Sequence, residues 1–477
     1  MIGIIIALAV VLFCGYLCLN ALNFKPKENA TIIEENIDFD KEKATKNLQE
    51  LVKYKTVSYE DSSLEDEKEF AKLVKALPKL YPKVFKTCTL KLSKERGLLF
   101  LWEGKNHDAA SVMMAHYDVV PVNESGWEKD PFGAELVDGV VWGRGTLDTK
   151  VTMNAILSAA EKLISDGFVP ENDIYFAFSG NEEINGLGAP SIVDYFEENK
   201  IELALVLDEG GAVVEGVFPG VTKRCGLIGI AEKGMLNALF TAKTQGGHAS
   251  APKPNSPIPS LAEVCCRIEE NPFKMHITEP VSQMFDTLGR HSSFLYKLIF
   301  SNLCLFAPVL NLICKMQGGE LNALMRTTVA FTKAQGSDAF NVIPPEASIG
   351  SNIRLNPMDT MDSALEYLNK IVDNENIEVK AVGGMNPSRI SVTDCEAYNK
   401  VASAVASTWE ETLVSPYLMV QCSDSRHYGR ISDKVYRFSA MALSSEERAL
   451  IHGNNERIPV ETIHKAVEFY IRVMKQC

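Results

Sequence analysis

The sequence predicts an α/β fold built around a central sheet with helices on its faces. Three apolar runs carry that reading: "SVMMA" at 111–115, "IYFAFS" at 174–179 and "LALVLD" at 203–208. Short runs that are apolar throughout suit strands buried on both faces. Between the first two lies Thr152–Ser165, with apolar residues at 153, 156, 157, 160, 163 and 164. That spacing is helical, and strands alternating with helices build a layered α/β sheet.

Taken in order, the 477-residue chain opens on "IGIIIALAVVLFCGYLCLNAL" at 2–22, uncharged and long enough to cross a bilayer. It lacks the basic leader and small-residue cleavage site of a signal peptide, so an uncleaved anchor is expected over 1–23. Lys25 and Lys27 draw the end of that segment toward the cytoplasm. Residues 24–40 read as a polar stalk, and 40–55 and 66–77 suit helices. A main domain, 41–229, gives way near residue 230 to a different pattern. "GMLNALFTAKT" reads as a strand, "SPIPSLAEVCCRIEEN" as a helix opened by prolines, and "EASIGSNIRL" as a strand. With a helix at 361–373 and a strand at 377–382, these define an inserted domain over 230–383. The main domain resumes at 384–477 and ends in a helix at 460–475.

Residues 272–325 fit the insert poorly. "SSFLYKLIFSNLCLFAPVLNLICKM" is strongly apolar but interrupted by Lys297, Asn302, Pro308 and Asn311, too broken for a straight span. Three readings stay open: a buried helical pair, an apolar wall for a greasy substrate, or a patch resting on the membrane beside the anchor.

The formal net charge of −14 argues against nucleic acid or anionic lipid as the main partner. Eleven cysteines, with no CxxC and a single adjacent pair at Cys265–Cys266, match neither a zinc ribbon nor a disulfide framework.

In open α/β sheets, active sites form beyond the carboxyl ends of the strands. The first run ends in His116 and Asp118, which share a face because strand side chains alternate. "GNEE" after the second run supplies Glu182 and Glu183, and the third ends in Asp208. "GRGTLDTK" sets Asp148 at the entrance of the helix at 152. Taken singly, these are a structural histidine, a helix cap and solvated acids. Together, four termini deliver an acid or a histidine to one edge. Histidines and carboxylates without a thiolate suit hydrolytic zinc or cobalt, and a pair of ions accounts for so many carboxylates.

"AHYDVVPV", "W…DPF…DG.VWGRGTLDTK", "GNEEINGLGA", "LDEGG", "GGHASAP" and "IHGNNERIP" occur in this order along residues 45–475. The series resembles the co-catalytic zinc peptidase family of aminoacylase, glutamate carboxypeptidase, succinyl-diaminopimelate desuccinylase and carboxypeptidase S. The apolar insert and "LMRTT" at 324–328 look most like the branch of carboxypeptidase S and N-fatty-acyl-amino-acid synthase/hydrolase. The resemblance implies a zinc-peptidase-like catalytic domain with a central mixed sheet, and a smaller inserted α+β lid or dimerisation domain. It further implies two Zn2+ per subunit, with Co2+ or Mn2+ as substitutes. By the same resemblance Asp148 bridges the ions, His116 and Asp208 hold one, and Glu183 and His452 hold the other. Glu182 takes the part of general base, and Asp118 orients His116 through its far ring nitrogen. His248 would help stabilise the oxyanion, reaching across a homodimer or after closure. Asn341, Arg354 and Arg426 would bind the substrate's carboxylate or carbonyl. Where Gln421 and Cys422 stand, the family usually carries small residues.

The expected function is metal-dependent hydrolysis of an amide beside a free carboxylate, in a short peptide or an N-acyl amino acid. The alternative is an inactive relative serving as a binding or scaffold protein. Such relatives tend to lose a ligand or the base, and here every expected position is filled. The branch resemblance places the anchored body on the extracytoplasmic or lumenal side, against the pull of the two lysines.

Overall fold

The three apolar runs become adjacent parallel strands, Asn172–Ser179, Asn106–His116 and Leu203–Val214, with Met113 level with both Phe176 and Leu207. They form the middle of an eight-stranded mixed sheet. The hairpin Thr89–Lys94 and Gly97–Trp102 continues it beyond Asn172–Ser179. On the other side follow Val435–Leu443, Cys225–Glu232 and Leu413–Met419. The computed structural model describes residues 2–27, 30–216 and 218–477.

Helix Lys150–Ser165 lies against this sheet together with Lys41–Val52 and Val460–Lys475, the last at the expected bounds. Its inward residues Met153, Ile156, Leu157 and Ala160 are fully buried beside Phe176 and Phe178. Each fully buried large side chain contributes about 1.5–3 kcal/mol, which fixes the helix at the carboxyl edge of the central strands. Gly188–Glu198 covers part of the opposite face.

A second, smaller sheet falls between residues 234 and 385. Four antiparallel strands, in the order Thr328–Gln335, Glu346–Leu355, Gly234–Lys243 and Ile377–Met385, carry helices Pro257–Glu270 and Met361–Val372. The apolar stretch between them leaves this sheet. Its helices Glu279–Gly289, Phe294–Phe300, Leu303–Gln317 and Gly319–Met325 share a core with Val214, Leu227 and Tyr417 of the large sheet. Packing decides this, because Phe285, Leu288 and Phe300 find apolar partners there, on the part of the sheet that Gly188–Glu198 leaves uncovered.

The segment expected as an anchor forms one helix, Ile2–Asn23, apolar around its whole circumference and long enough to cross a bilayer. The expected stalk, of which residues 28 and 29 lie outside the described residues, runs as a strap along the body. Ile37 is buried, the Ile33 N–H donates to Ser407 Oγ at 2.8 Å, and Arg472 donates to the Glu35 carbonyl at 3.0 Å. All eleven cysteines are free of disulfides.

Candidate active site

His116 ends its strand with the ring 2% exposed. Its Nδ1 lies 3.0 Å from the Asp118 carbonyl and 3.4 Å from the Asp118 carboxylate. Asp118 does more than face the ring. Its carboxylate accepts the Ser58 hydroxyl at 2.8 Å and the N–H groups of Glu182 and Glu183 at 3.1 and 3.2 Å. One buried acid thus aims the histidine and ties down the turn that delivers both glutamates.

With Nδ1 so held, His116 Nε2 faces Asp148 Oδ1 at 2.9 Å. Asp148 Oδ2 lies 3.0 Å from His452 Nε2, which is also 3.2 Å from Glu183 Oε2. The two oxygens of Asp148 therefore address two different imidazoles. Asp148 is itself held from Glu456, which comes from the far end of the chain. Glu456 Oε1 accepts the N–H groups of Gly145, Leu147 and Asp148 at 3.0, 2.7 and 3.2 Å, and Oε2 pairs with Arg144 at 2.6 Å. Sequence reading passed over this residue within "IHGNNERIP", because nothing in the motif's spacing shows that it reaches back to Asp148. Removing one partner from a buried pair leaves the other uncompensated, at about 3–5 kcal/mol. Glu456→Ala is expected to lower unfolding stability by about that amount in urea titration. It should also reduce activity by loosening Asp148.

Asp208 does not join the cluster. Strand Leu203–Val214 bulges after it: Asp208 pairs with Arg437 and Gly211 with Phe438, so Glu209 and Gly210 lie between ladder positions. Two glycines permit the bulge. Gly210 takes φ +144°, and a Cβ on Gly211 would sit 1.8 Å from the Leu227 carbonyl oxygen. Asp208 turns away and accepts the Ser425 N–H at 2.9 Å, whereas Glu209 Oε1 comes 3.3 Å from His116 Nε2. Glu209, not Asp208, is therefore the acid of this strand that stands beside His116. The Ser425 loop is fixed in turn by Glu232, which pairs with buried Arg437 and accepts the Ser423 and Ser425 hydroxyls.

Of the expected substrate residues, Arg426 lies nearest the acids, its Nη2 3.5 Å from Glu182 Oε1 and its Nε donating to the Ser423 carbonyl at 2.6 Å. Arg354 approaches Cys422 Sγ at 3.6 Å, and Cys422 lines the cavity beside the cluster. His248 and Asn341 stand exposed in and beside the ribbon Gly247–His248 and Val342–Ile343, outside that cavity. The chain does not by itself bring these two to the acids.

The donor set fits divalent cations. His116, Asp148 and Glu183 converge within 4.8 Å, as do His116, Glu182 and Glu209. Glu183 Oε1 is buried and receives no hydrogen bond among the described residues. Burial holds the Glu182 carboxyl well above its usual range and pushes Glu209 up to about 7. Hydrogen bonds to Asp148 and Glu183 lift His452 to about 10. Burial opposes ionisation of Asp148, but the two imidazoles outweigh it and hold this carboxyl below the usual range. Glu182, Glu183 and Glu209, buried carboxylates held high in proton affinity beside two imidazoles, form with Asp148 a site that metal ions would neutralise.

A cavity of about 650 Å³ opens from these acids. Asp148, Glu182, Glu183, Glu209 and His452 line it together with the aliphatic Val214, Leu227, Met441, Leu443 and Ala323 and the polar Glu320, Gln421, Ser439 and Arg448.

The sequence matches the model of peptidase family M20/M25/M40 over residues 112–476. It is 33% identical to a probable carboxypeptidase S-like protein of Dictyostelium discoideum, covering 88% of this chain and 82% of that one. Identity to an N-fatty-acyl-amino acid synthase/hydrolase of Xenopus tropicalis is 32%, covering 100% and 93%. Among solved structures, an M20 family metallo-carboxypeptidase from Sulfolobus solfataricus superposes with TM-score 0.66 at 19% identity, over 91% of this chain and 98% of that one. Human carnosine dipeptidase 1 gives 0.64 at 14%, over 91% and 96%. On the family match and the two sequence relatives, the chain belongs to peptidase family M20/M25/M40, as a metal-dependent hydrolase.

Proposed function

We propose that the chain hydrolyses the amide between an apolar acyl group and the amine of an amino acid whose carboxylate is free. The observation that carries this reading is the cavity, in which the acids and His452 share one space of about 650 Å³ with Val214, Leu227, Met441, Leu443 and Ala323. The names of relatives acting on N-fatty-acyl amino acids support it. Carboxypeptidase action on a short peptide with an apolar penultimate residue is the same reaction.

We assign His116, Glu209, Asp148, Glu183 and His452 as the residues that would hold metal ions, and take the ions to be two zincs, which would supply Lewis acidity there. Glu182 accepts the proton of a water that attacks the scissile carbonyl and returns it to the leaving amine. Arg426, within reach of Glu182, keeps the base oriented and offers a fork to the product carboxylate, with Arg354 beside it. His248 and Asn341 belong to a second copy's site in this reading, reached through the small domain. The anchor holds the body at a membrane, on its extracytoplasmic or lumenal side.

Ala323→Phe narrows the cavity without touching the acids. Overpacking of this kind costs about 1–3 kcal/mol, or about five- to 150-fold in kcat/KM. The loss is expected for an N-oleoyl amino acid, while the N-acetyl analogue keeps its rate within about twofold. Equal loss for both substrates would place the acyl group elsewhere.

A further inference from the structure

Helix Leu303–Gln317 is apolar on both sides. Leu310 and Cys314 are buried against the large sheet's core, whereas Leu305, Val309, Leu312, Ile313 and Met316 form an outward stripe, 39% to 78% exposed. Phe294 and Leu295, on the preceding helix, are 50% and 65% exposed. The two helices meet at 105°, so together they lie flat and cannot form one straight span. No segment of the described chain covers this face.

The face is continuous with the anchor. Asn302, at the bend, accepts from Asn20 Nδ2 at 2.7 Å and donates to the Leu17 carbonyl at 3.2 Å. Arg290 stacks 4.3 Å from the Phe24 ring and donates to the Lys25 carbonyl at 3.0 Å, and Lys27 pairs with Asp286 at 2.8 Å. The anchor therefore leaves the body locked to this bend, not on a loose tether. Once Ile2–Asn23 spans a bilayer, its last turns lie at the interface, and Asn302 lies there with them. An all-round apolar helix fits lipid and no single protein groove.

We propose that Phe294–Phe300 and Leu303–Gln317 lie in the interface of the bilayer that the anchor spans, with the outward apolar stripe among the acyl chains. Lys297 and Lys315 are the charged residues of the two helices, while the chain's net charge of −14 opposes an anionic surface, so the partner is a zwitterionic one. Helix Gly319–Met325, next in the chain, supplies Gly319, Glu320 and Ala323 to the cavity wall, so a lipid-dissolved acyl chain has a short path inward. This last step rests on the acyl reading above; the seating in lipid does not.

Leu312→Trp and, separately, Val309→Trp in the full chain, reconstituted in phosphatidylcholine vesicles, test the seating. At the depth of an interfacial helix, about 5–10 Å below the headgroups, the added indole should emit at short wavelength. Lipids brominated midway along their chains should quench the added emission by about half, above the background of the four native tryptophans. Long-wavelength, unquenched emission overturns the proposal, as does short-wavelength emission that bromolipid leaves intact, the result of cover by a second protein copy. Quenching without turnover of any N-acyl amino acid would keep the seating and remove the acyl reading.

Discussion

Glu182→Gln is expected to lower kcat by about 10²–10⁴-fold and to leave metal content and KM close to those of the parent chain. The substitution keeps the side chain's size and its contact with Arg426 but removes the basic oxygen. Two roles compete for this residue, because its carboxylate converges with His116 and Glu209 as a ligand would. Metal analysis separates them. A base leaves the metal stoichiometry intact, whereas a ligand takes an equivalent of metal with it. The backbone of Glu182 is held by Asp118 and its side chain by Arg426, so the amide variant has little freedom to reorganise. Unchanged turnover would remove Glu182 from the proton path.

Strand ends were legible in the sequence because burial on both faces leaves an uninterrupted apolar run, and the first polar residue after it marks the carboxyl edge. His116 and the Glu182–Glu183 turn followed from that rule, and Asp148 from its place at a helix entrance. So did the bounds of Glu346–Leu355 and Val460–Lys475, where periodicity runs unbroken between turn residues. Three features were not legible, each because it depends on contacts distant in sequence. Glu456 reaches back more than 300 positions to hold Asp148. The apolar helices after residue 278 follow the small domain's first strand and helix in the chain, yet bury themselves against the large sheet. The stalk's polar composition hid a strap, whose bonds are mostly through its backbone to Ser407 and Arg472.

The pair Asp208 and Glu209 shows how one motif can leave two acids to choose between. A regular strand sends adjacent side chains to opposite faces, so "LDEGG" offers either acid to the metals, and only the bulge chooses. The two glycines were the available signal, since Gly210 and Gly211 allow a bulge that larger residues would obstruct. The structure then predicts opposite outcomes for neighbouring substitutions. Glu209→Gln removes a charged donor beside His116 and is expected to weaken binding of one metal equivalent. The loss should be at least the 10–100-fold, roughly, that follows the loss of an outer partner, with activity falling in parallel. Asp208→Asn keeps an oxygen for the Ser425 N–H and relieves the repulsion with Asp424 that, after burial, raises the Asp208 carboxyl to about 6. It is expected to retain full metal content and to shift stability by no more than about 1.5 kcal/mol. Metal titration of the two variants side by side checks the assignment. Metal loss in Asp208→Asn with retention in Glu209→Gln would return the ligand role to Asp208 and require the bulge to close when metal binds.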